Sequence, residues 1–237
     1  MDTNLLSRFQ KEKAKRLKDG LYHNTQIKLA YNTNGIEGSS LTEKQTRYIF
    51  EINTLDVDPN VSVNVDDIIE TVNHFSCFDY MLDGAGENLS DEIIKEFHRI
   101  LKNGTSYFRQ DFSKTGDYKS HPNIIDGHET TPPAQVSGAM NDLLASYLNT
   151  SPIDLEAIVN FHYYFEKIHP FQDGNGRVGR IILFRECLKH GIVPFFIESE
   201  NKMPYYQGLK EFETTPAGLV DICRQAQDKY KEFLGQF

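Results

Sequence analysis

Along most of this chain, apolar residues recur at three- and four-residue intervals, the spacing that gathers them on one face of an α-helix. Leu21, Thr25, Lys28 and Leu29 suggest a helix running toward Tyr31, which Gly35 and Gly38 interrupt or end. Another restarts after Leu41, with Thr42 as N-cap and Gln45 three residues on. Val65 to Leu82 carries Ile68, Ile69, Val72, Phe75 and Phe78 at helical spacing, and Gly84 and Gly86 mark the loop beyond it. Ser90-Asp91-Glu92 caps a helix whose apolar face is Ile93, Ile94, Phe97, Ile100 and Leu101, followed by Gly104. From Tyr107 to Pro133 the helical period is lost among Gly and Pro, which predicts loop with a short β-hairpin. Helices return over Ala134–Leu148 and Leu155–Ile168, then from near Arg177 to Lys189 with Gly191 as C-cap. A last pair covers Tyr205–Phe212 and Leu219–Leu234. The expected fold is mainly α with one small β-hairpin.

Composition adds limits. The chain has 237 residues, 39% hydrophobic and 25% charged, enough for a real core and unlike a disordered or fibrous protein. Its net charge of -9 does not favour broad contact with nucleic acid, because such binding rests on Lys and Arg neutralising phosphates. Cys77, Cys187 and Cys223 lie far apart and make no zinc spacing, which fits reduced thiols. The segment Met1 to Gly20 is rich in Lys and Arg without an apolar core, so no signal peptide is expected. No run reaches the roughly 18 apolar residues that a membrane helix needs. A cytoplasmic protein is the expectation.

The segment from His169 to Arg180 concentrates chemistry. A helix ends, a glycine-containing loop follows, and a new helix begins. The first N–H groups of a helix have no partner within it, and with the helix dipole they form an anion site. Gly174 and Gly176 let a ligand approach the backbone. Arg177 offers a planar fork for phosphate oxygens, and Arg180 lies about one turn on, so both can face one ligand. Asp173 is a hard oxygen ligand suited to Mg²⁺ beside phosphate. His169 is the nearby side chain whose ordinary pKa is close to neutral, as a general base requires. Asn175 can bond a phosphate oxygen or brace the loop. Taken singly, each of these residues has a plain structural reading; all of them within twelve residues point to one anion site.

This stretch resembles the signature of the Fic family, HxFx(D/E)GNGRxxR, at every defined position. The resemblance implies a Fic-type helical bundle with a β-hairpin flap over the active site. It divides the chain into an N-terminal helical segment (1–87), a catalytic core (88–195) and C-terminal helices packed on that core (196–237). Fic enzymes are mostly protein adenylyltransferases that move AMP from ATP to Ser, Thr or Tyr hydroxyls. The resemblance therefore implies that His169 deprotonates the target hydroxyl, which attacks the α-phosphate, and that Asp173 holds Mg²⁺. It implies that Gly174, Asn175 and Gly176 cradle phosphates that Arg177 contacts. Asn123, Ile124, Ile125, Asp126 and Gly127 look like the flap, which holds a target segment by strand addition. Tyr205 and Tyr206 resemble the segment lining the adenosine pocket, although Glu213 stands where some relatives prefer Asn.

Thr33-Asn34-Gly35-Ile36-Glu37-Gly38 resembles the inhibitory motif (S/T)xxxE(G/N) of the same family. It implies that Glu37 pairs with Arg180, competes with the ATP γ-phosphate and holds the enzyme in check. Thr33 would brace that helix through a hydrogen bond to the Asn175 region. Two alternatives stay open: a Fic enzyme that removes AMP or works in both directions, and a non-catalytic nucleotide-binding regulator on a Fic scaffold. A P-loop protein is excluded, as there is no GxxxxGK(S/T). The expected partner is a protein carrying a hydroxyl, with no nucleic acid or membrane; an oligomer is open.

Overall fold

The computed structural model describes residues 5–58, 60–109, 115–125 and 127–237. Ten α-helices run through the described residues: α1 (Leu5–Lys15), α2 (Leu21–Ile36), α3 (Glu43–Ile52), α4 (Val65–Asp83) and α5 (Asp91–Lys102), then α6 (Pro133–Leu148), α7 (Leu155–Ile168), α8 (Asn175–Lys189), α9 (Lys202–Glu211) and α10 (Pro216–Leu234). Strands β1 (Ile124–Ile125) and β2 (His128–Glu129) form the small antiparallel hairpin, pairing Ile124 with Glu129 and Ile125 with His128. The mainly α expectation with one hairpin is met. No helix among the described residues is long and apolar enough to cross a membrane.

Local chemistry sets many boundaries. Thr42 accepts from Gln45 N and Gln45 accepts from Thr42 N, so the capping box at α3 is complete. Ser90 caps α5 through Ile93 N, and Asp154 caps α7 through Ala157 N. One expectation needs correction. Gly35 does not interrupt α2; it lies inside the helix, and the chain turns at Gly38, whose φ is +98°. Gly35 serves close packing instead, since a Cβ there would lie 3.0 Å from Ser199 Cβ. The basic N-terminal segment belongs to the helical part of the chain. It forms α1, anchored by Phe9, which is fully buried between the rings of Phe78 and Phe184. One aromatic and two leucines gave too short a periodic run to announce it.

Helix α8 is central: 13 of its 15 residues are buried, so it has no broad solvent-facing side. Helices α1, α2, α4, α5 and α7 all pack on it. Its wholly buried Arg185 and Glu186 are paired. Arg185 donates to the carbonyls of Gly84 and Glu87 (2.8 Å each) and pairs with Glu186, which accepts from Tyr147 Oη.

Burial also sets a pH limit. It pushes His74, His98 and His162 down to about 3 and His169 to about 4. In the unfolded chain these rings take protons near pH 6.5, so below that value the unfolded state binds more protons. The stability these four rings contribute should therefore be full above about pH 6.5 and fall as pH drops toward 4. Glu166, raised to about 8 by burial, acts the opposite way; its contribution is full below its ordinary value of 4.5 and is lost as pH rises through 8. Urea unfolding should show a clearly lower midpoint at about pH 5 than at pH 7, with each such histidine worth up to about 1.4 kcal/mol per pH unit. An unchanged midpoint would contradict the burial of these four rings.

Candidate active site

Helix α7 ends at His169, which adopts the left-handed conformation (φ 50°, ψ 64°) and caps the helix through its N–H to Phe165 O. A non-glycine residue in that region carries backbone strain. The next five residues turn the chain, and Gly174, at φ +81°, leads into α8. Lys102 also packs on Gly174, so that a Cβ would lie 3.3 Å from Lys102 Cδ.

The loop is fastened from inside. Asn175 Oδ1 accepts from Phe171 N and its Nδ2 donates to Phe171 O, both at 2.8 Å. Phe171 is buried and stacks on His98, with ring centroids 4.0 Å apart and planes 4° apart. His98 Nδ1 accepts from Gly116 N, which leaves Nε2 to donate to Asp173 O (3.1 Å). His98, at the centre of this brace, belongs to no motif and was not legible in the sequence. Asn175 thus takes the bracing role, one of the two expected for it.

Each motif arginine already has an acidic partner. Arg180 is 3% exposed; its Nη2 donates to Glu37 Oε1 (2.5 Å) and to Thr33 O (3.2 Å), and its guanidinium lies 6.0 Å from the Tyr205 ring. Burial pushes Glu37 up, but the Arg180 guanidinium outweighs it and holds the carboxyl below its ordinary range. A Cβ on Gly176 would run into Glu37 Oε1 and lie 2.9 Å from Arg180 Nη1. The Glu37 carboxylate therefore sits against the backbone of the first turn of α8, at the place described above for an anion. Arg177 pairs with Glu70 of α4 and lies 3.6 Å from Asp173. Lys102, the last residue of α5, bonds both Glu70 (2.5 Å) and Asp173 (2.6 Å). Burial raises Asp173, yet Lys102 and then Arg177 hold it below the usual carboxylate range. Glu70 and Lys102 are the residues that sequence reasoning missed, since nothing local joins them to the loop.

Burial, followed by the charge of Lys119, lowers His169, so its imidazole is neutral at pH 7. Its Nδ1 is buried and has no partner among the described residues. Lys119 ties the hairpin to this loop: its N–H donates to Pro170 O (2.8 Å), and its ammonium reaches Asn123 Oδ1 (2.8 Å) and Ile168 O (3.4 Å). Asn123 Nδ2 adds a bond to Phe171 O. Ile124 and Ile125 are exposed at 65% and 40%, and Gly127 turns the hairpin at φ +80°. Asp126, also expected in the flap, lies outside the described residues.

Other expected residues are placed differently. The Thr33 hydroxyl has no partner among the described residues, and the Asn175 amide is spent on Phe171; Thr33 acts on Arg180 through its carbonyl. Tyr205 is wholly buried, its hydroxyl on His162 Nε2 (2.6 Å), so it supports Arg180 and offers no surface to a ligand. Tyr206 is 39% exposed and donates to Ile36 O at the end of α2 (3.3 Å). Glu213 pairs with Lys167. Among the described residues, Asp19, His23 and Glu51 have the proximity of a metal group. Both ring nitrogens of His23 are engaged there, by Asp19 N and Glu51, and Arg47 also holds Glu51. That group is a hydrogen-bonded cluster with one ion pair, Arg47 to Glu51.

Comparison with known proteins gives a family match and a shared fold. Residues 88–186 match the Fic/DOC family. A protein adenylyltransferase Fic of Nematostella vectensis is 26% identical over 190 residues, which cover 76% of this chain and 42% of that protein. One of Aedes aegypti is 27% identical over 191 residues, covering 78% and 36%. The chain thus spans about two fifths of the length of these relatives. Among solved structures, a Fic-domain-containing signalling protein from Bacteroides thetaiotaomicron superposes with a TM-score of 0.73 at 21% identity, covering 97% of this chain and 93% of that one. Fic-1 of C. elegans gives 0.74 at 20% identity, covering 98% and 71%. Those two likenesses concern the fold. The matched span, residues 88–186, contains the complete loop from His169 to Arg180, and the helical fold around it is shared with a Fic-domain structure over nearly the whole chain: these residues are similar to a Fic domain.

Proposed function

We propose that this chain moves AMP from ATP to a Ser, Thr or Tyr hydroxyl of a protein, and that Glu37 holds the activity in check. The observation that carries this reading is the position of the Glu37 carboxylate, against Gly176 and bonded to Arg180 at the first turn of α8. A carboxylate that fits there occupies an anion site, and a phosphate group of ATP is the anion it excludes. The names of the relatives supply the group transferred.

In the reaction, neutral His169 takes the proton of the target hydroxyl. The freed oxygen attacks the α-phosphorus, the bond to the bridging oxygen breaks, and diphosphate leaves. The protein's work is positioning and charge neutralisation, by α8 N–H groups, Arg177 and Arg180. Asp173 suits Mg²⁺: it is one ionised carboxylate, 49% exposed, beside the phosphate site. The metal would neutralise charge on the phosphates. The exposed edge at Ile124 and Ile125 is the natural place for a target strand, since the neighbouring Asn123 bonds Phe171 on the loop that follows His169.

The test is transfer from ATP carrying its label at either the α- or the γ-phosphate, with a cell lysate as target source. Label from the α position should remain on protein and label from the γ position should not. Retention of γ label, or no transfer even by Glu37→Gly, would sink the reading; nucleotide binding without transfer would favour a regulator.

A further inference from the structure

Asp173 belongs to a ring of four charges. Glu70 bonds Lys102 through Oε1 and Arg177 through Oε2. Asp173 bonds Lys102 through Oδ2, and its Oδ1 faces Arg177 at 3.6 Å. Anion and cation alternate around the ring, and its net charge is zero. Lys102 is 3% exposed, Arg177 5% and Glu70 14%, whereas Asp173 is 49% exposed. Asp173 is thus the outward member and the other three stand behind it. The Lys102 stem lies along Gly174, and its ammonium lies 5.2 Å from the Tyr107 ring centroid, so the charge is held in place. It stands at the C-terminal end of α5, where a helix favours a cation.

We propose that Lys102 is the resident cation of this site. Its ammonium fills the position between the Asp173 and Glu70 carboxylates that a divalent ion would otherwise be drawn to. The proposal deepens the function given above and rests on the reading of Asp173 as metal-facing. Without nucleotide, a divalent cation meets a neutral ring whose acidic oxygens are already bonded, and it gains little. With a triphosphate, the phosphates bring negative charge, the metal takes Asp173, and the ammonium stays on Glu70. Glu70 is then the residue that keeps Lys102 when Asp173 gives it up. Metal and nucleotide would enter together. Lys102 and Glu70 are positioning residues and touch neither substrate nor the reacting atoms.

The experiment titrates Mn²⁺, an oxygen-seeking probe read by electron paramagnetic resonance, into nucleotide-free protein. Lys102→Met should bind Mn²⁺ at least about tenfold more tightly than wild type, because two carboxylates lose their shared cation. Adding Asp173→Asn or Glu70→Gln to Lys102→Met should remove that gain. Equal Mn²⁺ affinity in wild type and Lys102→Met would overturn the proposal, as would a gain that survives either second change. If Lys102→Met does not fold, Glu70→Gln decides. There the ammonium has no second carboxylate, so the tightening of ATP binding by Mn²⁺ should shrink at least about fivefold from wild type. An unchanged tightening would overturn the proposal. Absence of ATP binding in every variant would count against the proposed function, and the nucleotide-free titration would still judge Lys102.

Discussion

Replacing Glu37 with glycine is expected to raise transfer of α-labelled AMP by at least about tenfold, about 1.4 kcal/mol. The bond lost is charge-assisted, at 2.5 Å, to an arginine that is 3% exposed. Hydrogen bonds to charged groups are worth about 1.5–3 kcal/mol, so a tenfold effect asks for only part of one. The Glu37 side chain is 30% exposed, and solvent screening keeps the expectation at this lower end. The change leaves Arg180 buried without its carboxylate, which costs stability in the free protein. ATP would restore the missing negative charge, so the variant should gain more thermal protection from ATP than wild type does. The backbone tolerates the substitution, since position 37 lies at φ -81° just outside α2. Glu37→Gln, which keeps the shape and drops the charge, should fall between the two. Equal labelling by wild type and Glu37→Gly would remove self-inhibition from the account.

The other large effect is at His169. His169→Ala in the Glu37→Gly background should lower transfer by at least about a hundredfold, the usual reach of a positioned general base. The pH profile makes the test specific. Burial and Lys119 lower the imidazole to about 4, so it stays unprotonated from pH 8 down to well below its ordinary 6.5. Protonation, which disables a base, begins only as pH falls toward 4. The rate in Glu37→Gly should therefore be nearly flat between about pH 6 and 8, where a free histidine would show a rise centred near 6.5. A rise at that midpoint would mean that His169 is not held as described. ATP affinity should change far less than the rate, because His169 is given no part in binding phosphate.

Much of the molecule follows from short-range rules. Thr42 and Gln45, Ser90, and Asp154 end helices where N-terminal N–H groups need acceptors. Gly174, Asn175, Gly176 and Arg177 share one helix start, and Arg177 and Arg180 lie one turn apart, because covalent spacing puts them there. The pairing of Glu37 with Arg180, drawn from the motif resemblance, has its geometric counterpart in the 2.5 Å contact.

The amino-acid sequence by itself determined most of the helices, the hairpin and the glycine-containing loop from His169 to Arg180, since each depends on residues within a few positions of one another. Tertiary structure alone decided what stands around that loop. Glu70 lies more than a hundred residues before Arg177, and only the packing of α4 and α5 on α8 brings Glu70 and Lys102 to it. The stack of His98 on Phe171, the burial of Tyr205 beneath Arg180, and the use of the Thr33 carbonyl in place of its hydroxyl have the same origin. Charge pairing acts between whichever groups packing makes adjacent. The loop could therefore be read from the chain, whereas its acidic partners depended on the fold.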